Sequence, residues 1–247
     1  MSAIAPIIAC MAAPRLAFTW LGHSTFIIDL PNGKRILTDP WLENPKCPEA
    51  FTKPESLAPI DLILTSHGHF DHIGTAVAAS RATGAPVVAI YELCSYLKEK
   101  GVQDARGMNI GGTQEAAGIR VTLTEAIHSS SIEEDGKARY LGLATGFVLR
   151  APDMPTIYFA GDTSLFAGMK TIGELYKPQI AFLPIGDHYT MGPDAAAIAA
   201  EWLGVRQVVP MHWGTFPLLT GRPAALRTLL EPHNIEVLDI EPGQTAR

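Results

Sequence analysis

Cysteine is scarce in this chain: three residues, Cys10, Cys47 and Cys94, widely spaced and odd in number. Such sparse thiols form neither a disulfide framework nor a zinc ribbon, and they fit a reducing, cytoplasmic compartment. Basic clusters are missing as well. No run of Lys or Arg exceeds two residues, and the formal net charge is −6. That argues against a nucleic-acid partner, because phosphate binding needs clustered cations. No apolar stretch is long enough to span a bilayer. The apolar opening MSAIAPIIACMAAPR carries no basic residue before Arg15, so the charged start of a secretory signal is absent. Linkers, low-complexity tracts and solenoid repeats are absent too. What is present is globular: 247 residues, 47% hydrophobic and only 18% charged, enough to bury a sizeable core. We read residues 1–14 as a flexible N-terminal extension, with Met11 as an alternative start, and 15–247 as a single domain.

The patterned chain opens as a β-meander. RLAFTW alternates apolar and polar or small residues, as a half-buried strand does. STFIIDL and KRILTDP flank Asn32-Gly33, a hairpin signal. From Pro59 the rhythm changes to alternating strands and helices. PIDLILTSH, APVVAI, GIRVTLTEAI, ARYLGLATGFVLR, TIYFAG, KPQIAFLPIG, RQVVPMH and NIEVLDIEPG read as strands. TAVAASRATG, YELCSYLKEKG, GPDAAAIAAEWLG and RPAALRTLLEPH read as helices. Pro193 suits a first helical turn, and Gly204 a helix end. One α/β domain with more than one sheet accommodates this order.

The polar residues carry the functional signal. TSHGHFDHIG places His67, His69, Asp71 and His72 within six residues. Elsewhere apolar runs end in further candidate ligands: IRVTLTEAI leads to His128, TIYFAG to Asp162 and RQVVPM to His212. Strand ends are where α/β proteins aim short loops at a common crevice. A lone histidine there is usually just hydrogen-bonded; with IDLILTS leading to His67 there are four such endings, and beside a dense cluster they point to metal. In extended chain His67 and His69 share a face and can chelate one ion. Asp71 and His72 turn toward a second ion if the chain bends into a helix. With no cysteine in the motif, the donors are imidazole and carboxylate, which suit zinc, manganese or iron.

H-x-H-x-D-H after an apolar strand, then a distant His, Gly-Asp-Thr and a late His, resembles the metallo-β-lactamase superfamily. WLGHSTFII, LTDPWLENP, LPIGDHYTMGP and PMHWGTFPLL resemble one branch of it, small metal-dependent hydrolases related to ascorbate-phosphate lactonase and N-acyl-phosphatidylethanolamine phospholipase D. The likeness runs from Phe18 onward. It implies a four-layer αββα sandwich with a dinuclear site between the sheet edges. His67, His69 and His128 would hold one ion, Asp71, His72 and His212 the other, and Asp162 would bridge them. The ions would be divalent, zinc first, with manganese or iron as alternatives. The flavodiiron relatives carry glutamate where this chain has His69, which favours hydrolysis over electron transfer.

The resemblance implies hydroxide generated between the two cations and delivered to a lactone, ester or amide. Asp71 is a catalytic candidate that orients that nucleophile or carries its proton. His188 is a second catalytic candidate, as a donor to substrate or leaving group, with Asp187 beside it on the rim. Both count as substrate-binding candidates; His23 in LGHST is a candidate either for substrate contact or for orienting a ligand residue. The bland alternatives are loop and hydrogen-bonding roles. Asp39 either orients a ligand imidazole or forms a turn. Tyr189, Trp213 and Phe216 are candidates for an apolar floor, Thr190 and Met191 for pocket shape, and His233 for plain surface. A phosphodiesterase using the same ions is one rival reading, and a non-catalytic metal-bearing sensor another. The expected partner is a small molecule, with a homo-oligomer open.

Overall fold

Short central strands, mostly apolar and buried, set the architecture, because segments covered on both faces have no polar side to show. Residues 15–247 are described by a computed structural model; the expected N-terminal extension lies outside them. The first sheet contains β1 (Ala17–Trp20), β2 (Phe26–Asp29), β3 (Arg35–Thr38), β4 (Leu62–Leu64), β5 (Val87–Ile90) and β6 (Ala105–Met108). It runs antiparallel through β1, β2 and β3, then parallel to β6. The second contains β7 (Thr113–Ala116), β8 (Ile119–Glu125), β11 (Thr145–Arg150), β12 (Ile157–Phe159), β13 (Ile180–Pro184), β14 (Gln207–Met211) and β15 (Glu236–Val237). It too is antiparallel at first and parallel from β12 onward. The chain end returns as β16 (Thr245–Ala246) beside β1. A separate hairpin, β9 (Ser131–Glu134) with β10 (Lys137–Tyr140), stands apart from both sheets.

The two large sheets face each other across one core. Phe182 of β13 meets Phe18 of β1 at 5.1 Å and Phe26 of β2 at 4.9 Å between ring centroids, both edge-on. Edge-on aromatic contacts are a favoured geometry across such an interface. Among the described residues, six α-helices complete the layers: α1 (Phe70–Ile73), α2 (Ala76–Thr83), α3 (Tyr91–Glu99), α4 (Gly168–Tyr176), α5 (Pro193–Leu203) and α6 (Pro223–Leu230). α3 packs on β5 and β6, while α5 lies between α4 and α6 against the second sheet. The expected αββα sandwich is the observed fold. No helix among the described residues is long and apolar enough to cross a membrane.

Several local expectations hold. Gly84 and Gly204 close α2 and α5 in the left-handed conformation, which glycine adopts without steric cost. Asn32-Gly33 turns between β2 and β3, with Gly33 alone at positive φ. Others differ. The stretch read as one strand over 138–150 splits into β10 and β11. Between them Leu141 turns back to hydrogen-bond Ser130, and Gly142 takes φ 88°. The closing strand shrinks to two residues. The sequence reading gave no helix for α4 and no strand for β6, β7, β9 or β16.

Candidate metal centre

Each ligand candidate sits one to three residues beyond a buried strand, or at the N-cap or inside the single turn of α1. β4 carries three fully buried residues, and the chain continues through Thr65 and Ser66 to His67. Ser66 C=O accepts from both the backbone N–H and the hydroxyl of Thr145 at the start of β11. The first sheet's loop is thereby pinned to the second sheet. His69 starts α1, whose turn carries Asp71 and His72, the bend that both residues needed to face inward. His128 lies three residues past β8; its neighbour Ile127 donates N–H to Thr163 Oγ1 at 3.0 Å. Asp162 follows Gly161, whose φ of +62° lets the backbone pass close to Ser66 and Thr145. A Cβ there would lie 2.7 Å from the Thr145 carbonyl, so glycine is required. His212 follows β14 and donates its N–H to the His23 carbonyl.

These remote segments converge. Among the described residues, three groups bring ligand atoms within 4.8 Å of one another: His67, His69 and His128; His23, Asp71, His72 and His212; and His67, His72 and Asp162. Asp162 is central. Its Oδ2 lies 2.9 Å from His212 Nε2, 3.3 Å from His72 Nε2, 3.7 Å from His128 Nε2 and 4.0 Å from His67 Nε2. Asp71 Oδ2 lies 3.8 and 3.9 Å from His212 and His72 Nε2. His67 Nε2 and His69 Nδ1 face each other at 3.0 Å.

A second ring of residues orients these donors. Asp39 is fully buried, and its Oδ2 accepts from His72 Nδ1 at 2.8 Å and from the Ser66 hydroxyl at 2.7 Å. Its Oδ1 accepts the Ser66 N–H at 2.7 Å. A proton held on His72 Nδ1 leaves Nε2 as the lone pair facing inward. His23 bonds Asp71 Oδ2 through Nε2 at 3.0 Å and Thr215 through Nδ1 at 2.6 Å. Its ring has no exposed surface, so of the two roles expected of it the substrate contact is disfavoured and the orienting one fits: it holds Asp71. His23, Asp39 and His212 all adopt positive φ, backbone strain of the kind that gathers at functional sites.

The electrostatics follow from burial opposed by neighbours. Burial lowers the pKa of His67, His69 and His128, and the other imidazoles add to this, which keeps their lone pairs free. His23 is pushed down to about 3, by burial first and then by His212. Burial works to raise the two acids, but the surrounding imidazoles outweigh it. Asp71 and Asp162 both end far below the usual carboxylate range. Burial also opposes charge on His72 and His212, yet Asp162 and its companions raise both, His212 to about 9.

The donor set suits a divalent cation. Ionised acids and imidazole nitrogens converge in a buried space, and His72 Nε2 and Asp162 Oδ1 are buried there without a hydrogen-bond partner. Such orphaned atoms are costly unless something satisfies them, and nitrogen and oxygen donors of this kind hold zinc, manganese or iron.

Other candidates fall outside the cluster. Asp187 and His188 are exposed, and His188 packs edge-on against Tyr189 at 4.5 Å. Tyr189 lines the cleft above the cluster; His188 and Asp187 are not among its lining residues. Of the expected aromatic floor, Tyr189 and Phe216 line that cleft, whereas Trp213 stacks on Trp20 at 5.1 Å under the Lys46 ammonium. Thr190 and Met191 do not line it either. His233 pairs with Glu201 at the surface. The β9–β10 hairpin was missed, although it supplies Ser131, Ile132 and Glu133 to the cleft. Its signal was Asp135-Gly136, both at positive φ, the Asp-Gly pair that tight hairpins favour.

Comparison with known proteins agrees with the geometry. The family described as "Beta-lactamase superfamily domain" matches residues 34–213. A UPF0173 metal-dependent hydrolase of Solibacter usitatus is 47% identical over 230 residues, covering 93% of this chain and 98% of the relative. One from Koribacter versatilis is 47% identical over 231 residues, covering 93% and 97%. Among solved structures, Igni18, a novel metallo hydrolase from Ignicoccus hospitalis, superposes with a TM-score of 0.83 at 38% identity. It covers 94% of this chain and 97% of its own. The chain belongs to the metallo-β-lactamase superfamily, in the branch whose relatives are named metal-dependent hydrolases.

Proposed function

We infer that this protein is a metal-dependent hydrolase with a dinuclear centre, acting on a lactone, ester or amide bond of a small molecule. The carrying observation is the convergence of His67, His69 and His128, and of Asp71, His72 and His212, with Asp162 Oδ2 within 4.0 Å of His67, His72, His128 and His212. In this reading the first three hold one ion, the second three hold another, and Asp162 lies between them as the bridge. Zinc is the first choice for these donors. Divalent ions held there supply two things: they acidify water to a nucleophile near neutral pH, and they polarise the scissile bond.

The chain's own groups do the rest. Asp71 lines the cleft with Oδ2 fixed by His23. Its Oδ1 accepts the proton of the attacking water and returns it to the leaving group. His23 keeps Asp71 from rotating, and Thr215 keeps His23 in place. Asp39 fixes His72 so that Nε2 stays available. Tyr189 takes over the rim contact expected of His188. A phosphodiester substrate fits less well, because no Lys or Arg is among the described cleft-lining residues and phosphate recognition usually recruits one.

The test strips the protein with chelator and reloads it with zinc, manganese or iron. It then counts ions by elemental analysis and assays a lactone and ester panel beside bis-p-nitrophenyl phosphate. Two ions per chain with ester or lactone turnover supports the reading. One ion, or turnover of the phosphodiester alone, overturns it.

A further inference from the structure

The cleft outside the metal centre has a chemistry of its own. A cavity of about 880 Å³ opens outward from His69, Asp71, His128 and Asp162. Its volume lies in the range of small-molecule sites. Its wall is apolar: Phe70, Ile132, Tyr189, Phe216, Pro217 and Leu218. Three of these stand unusually open to water, Phe70 at 55%, Tyr189 at 52% and Leu218 at 50% exposure. A lone exposed apolar side chain is ordinary, but several around one opening mark a surface that awaits a ligand.

The wall is also rigid where it matters. Trp41 stacks on Phe216 at 5.4 Å and meets Phe70 edge-on at 5.6 Å. Phe216 in turn touches the buried His23 ring. Two of the apolar groups are thus braced from behind by residues that also brace the metal cluster. The opposite side is Ile132 on β9, whose hairpin is tied to α3 by Tyr96–Glu134, Lys100–Glu134 and Arg139–Glu99 contacts.

Charge selects further. The ionisable groups lining the cleft are two histidines and three acids, Asp71, Asp162 and Glu133. The first two acids belong to the metal cluster. Glu133 stands out along the wall, exposed, with no Lys or Arg among the described residues that line the cleft. A negatively charged arm would lie against apolar side chains and one like charge, losing hydration for nothing. An uncharged hydrocarbon arm gives up no charge hydration and gains by leaving water as it covers the wall.

We propose that the substrate's non-reacting arm is electrically neutral and apolar, and that Phe70, Ile132, Tyr189, Phe216 and Leu218 select it. The proposal rests on the hydrolase reading for the bond that breaks, but the arm's recognition is separate from it. Affinity should rise about three- to fourfold for each methylene buried, until the cleft is full.

The test uses zinc-reloaded protein and p-nitrophenyl acetate, butyrate, hexanoate and octanoate, with mono-p-nitrophenyl adipate as the anionic match to hexanoate. Expected are a kcat/KM that climbs at least tenfold from acetate to hexanoate, and adipate at least tenfold below hexanoate. Leu218→Ser and Ile132→Ser should each cut the octanoate-to-acetate ratio severalfold. Calorimetric binding of butanol, hexanol and octanol gives a readout without turnover, with the same slope expected and the same flattening in Leu218→Ser. A flat chain-length profile in both assays overturns the proposal while leaving the hydrolase standing. An adipate monoester cleaved as fast as hexanoate overturns its neutrality. Silence on every ester with a steep alkanol slope removes the ester reading and keeps the neutral, apolar site.

Discussion

Replacing Asp39 by Asn tests the centre through a residue that touches no ion. Asp39 is fully buried and takes three hydrogen bonds, from Ser66 N–H, the Ser66 hydroxyl and His72 Nδ1. Its φ is +36°, a region that Asn tolerates nearly as well as Asp. The backbone therefore stays, and the substitution changes only charge and donor count. If the amide oxygen keeps the Ser66 N–H, the new NH2 faces His72 Nδ1. His72 must then move its proton to Nε2, where it occupies the lone pair that faces Asp162. If the amide flips, His72 is satisfied but the NH2 faces the buried Ser66 N–H instead.

The first case spoils the inward lone pair of His72; the second leaves the buried Ser66 N–H without its acceptor, at a cost of about 1–3 kcal/mol. For a chain of this size that lowers Tm by roughly 2–12 °C. Loss of an outer-shell carboxylate typically weakens metal binding by about 10–100-fold. Chelator competition measures the metal binding, and thermal unfolding of the stripped protein isolates the stability cost. Wild-type metal affinity together with an unchanged Tm in Asp39→Asn would refute the assignment of Asp39 as the anchor of His72.

Asp162→Ala removes the carboxylate nearest four imidazoles. It should cost more than the roughly 100-fold of an outer-partner change, read as lost ion stoichiometry and lost turnover with the far-ultraviolet circular dichroism unchanged. His188→Ala, at an exposed position outside the cleft lining, should cost less than about 1.4 kcal/mol of transition-state stabilisation, under tenfold in kcat/KM; a larger loss would restore it as a catalytic residue. Phe182→Ala, which empties the ring packed on Phe18, Phe26 and Phe159, should cost about 3–5 kcal/mol in denaturant titration. Burial raises the Cys94 thiol from 9.0 to about 11. The fold thus favours its protonated form, so this contribution is complete below pH 9 and is lost as pH climbs through 11. Stability should fall across that window, less steeply in Cys94→Ala.

How much of this was legible before folding depends on the kind of signal. His67, His69, His128, Asp162 and His212 were readable because each follows an apolar run, and a buried strand fixes where the next few residues emerge. Asp71 and His72 were readable only conditionally, on a bend that α1 supplies. His23 was readable as one candidate for orienting a ligand residue, but its bond to Asp71 was not. That bond joins positions 48 residues apart in chain, and nothing in LGHST distinguishes a ring facing a cleft from one facing a buried acid. α4 was missed because its first residue and its sixth are glycines, poor helix formers; the fold makes room for Gly173 against the Trp202 and Leu203 carbonyls. β15 and β16 are two residues each, too short to show any period. His188 misled because a histidine after an apolar strand predicts proximity to the crevice but not direction. Its left-handed backbone places Tyr189, not the imidazole, on the cleft.

The ligand candidates come from both sheets, and this has an energetic meaning. His67 leaves the first sheet, and His69, Asp71 and His72 follow it in the same segment. His128, Asp162 and His212 leave β8, β12 and β14 of the second. Without a cation, two buried acids and several imidazoles meet at the seam where the sheets join, a poor place for uncompensated charge. The Ser66–Thr145 hydrogen bonds and the Phe182 contacts must hold that seam closed against it. Ions bound there tie the layers together, so binding free energy enters directly as folding free energy. The same geometry explains why the cleft wall is braced through His23, Trp41 and Phe216: residues that orient the acid on one side support the apolar wall on the other. A change at either face should be felt at both, which separates this arrangement from a metal site merely attached to a stable scaffold.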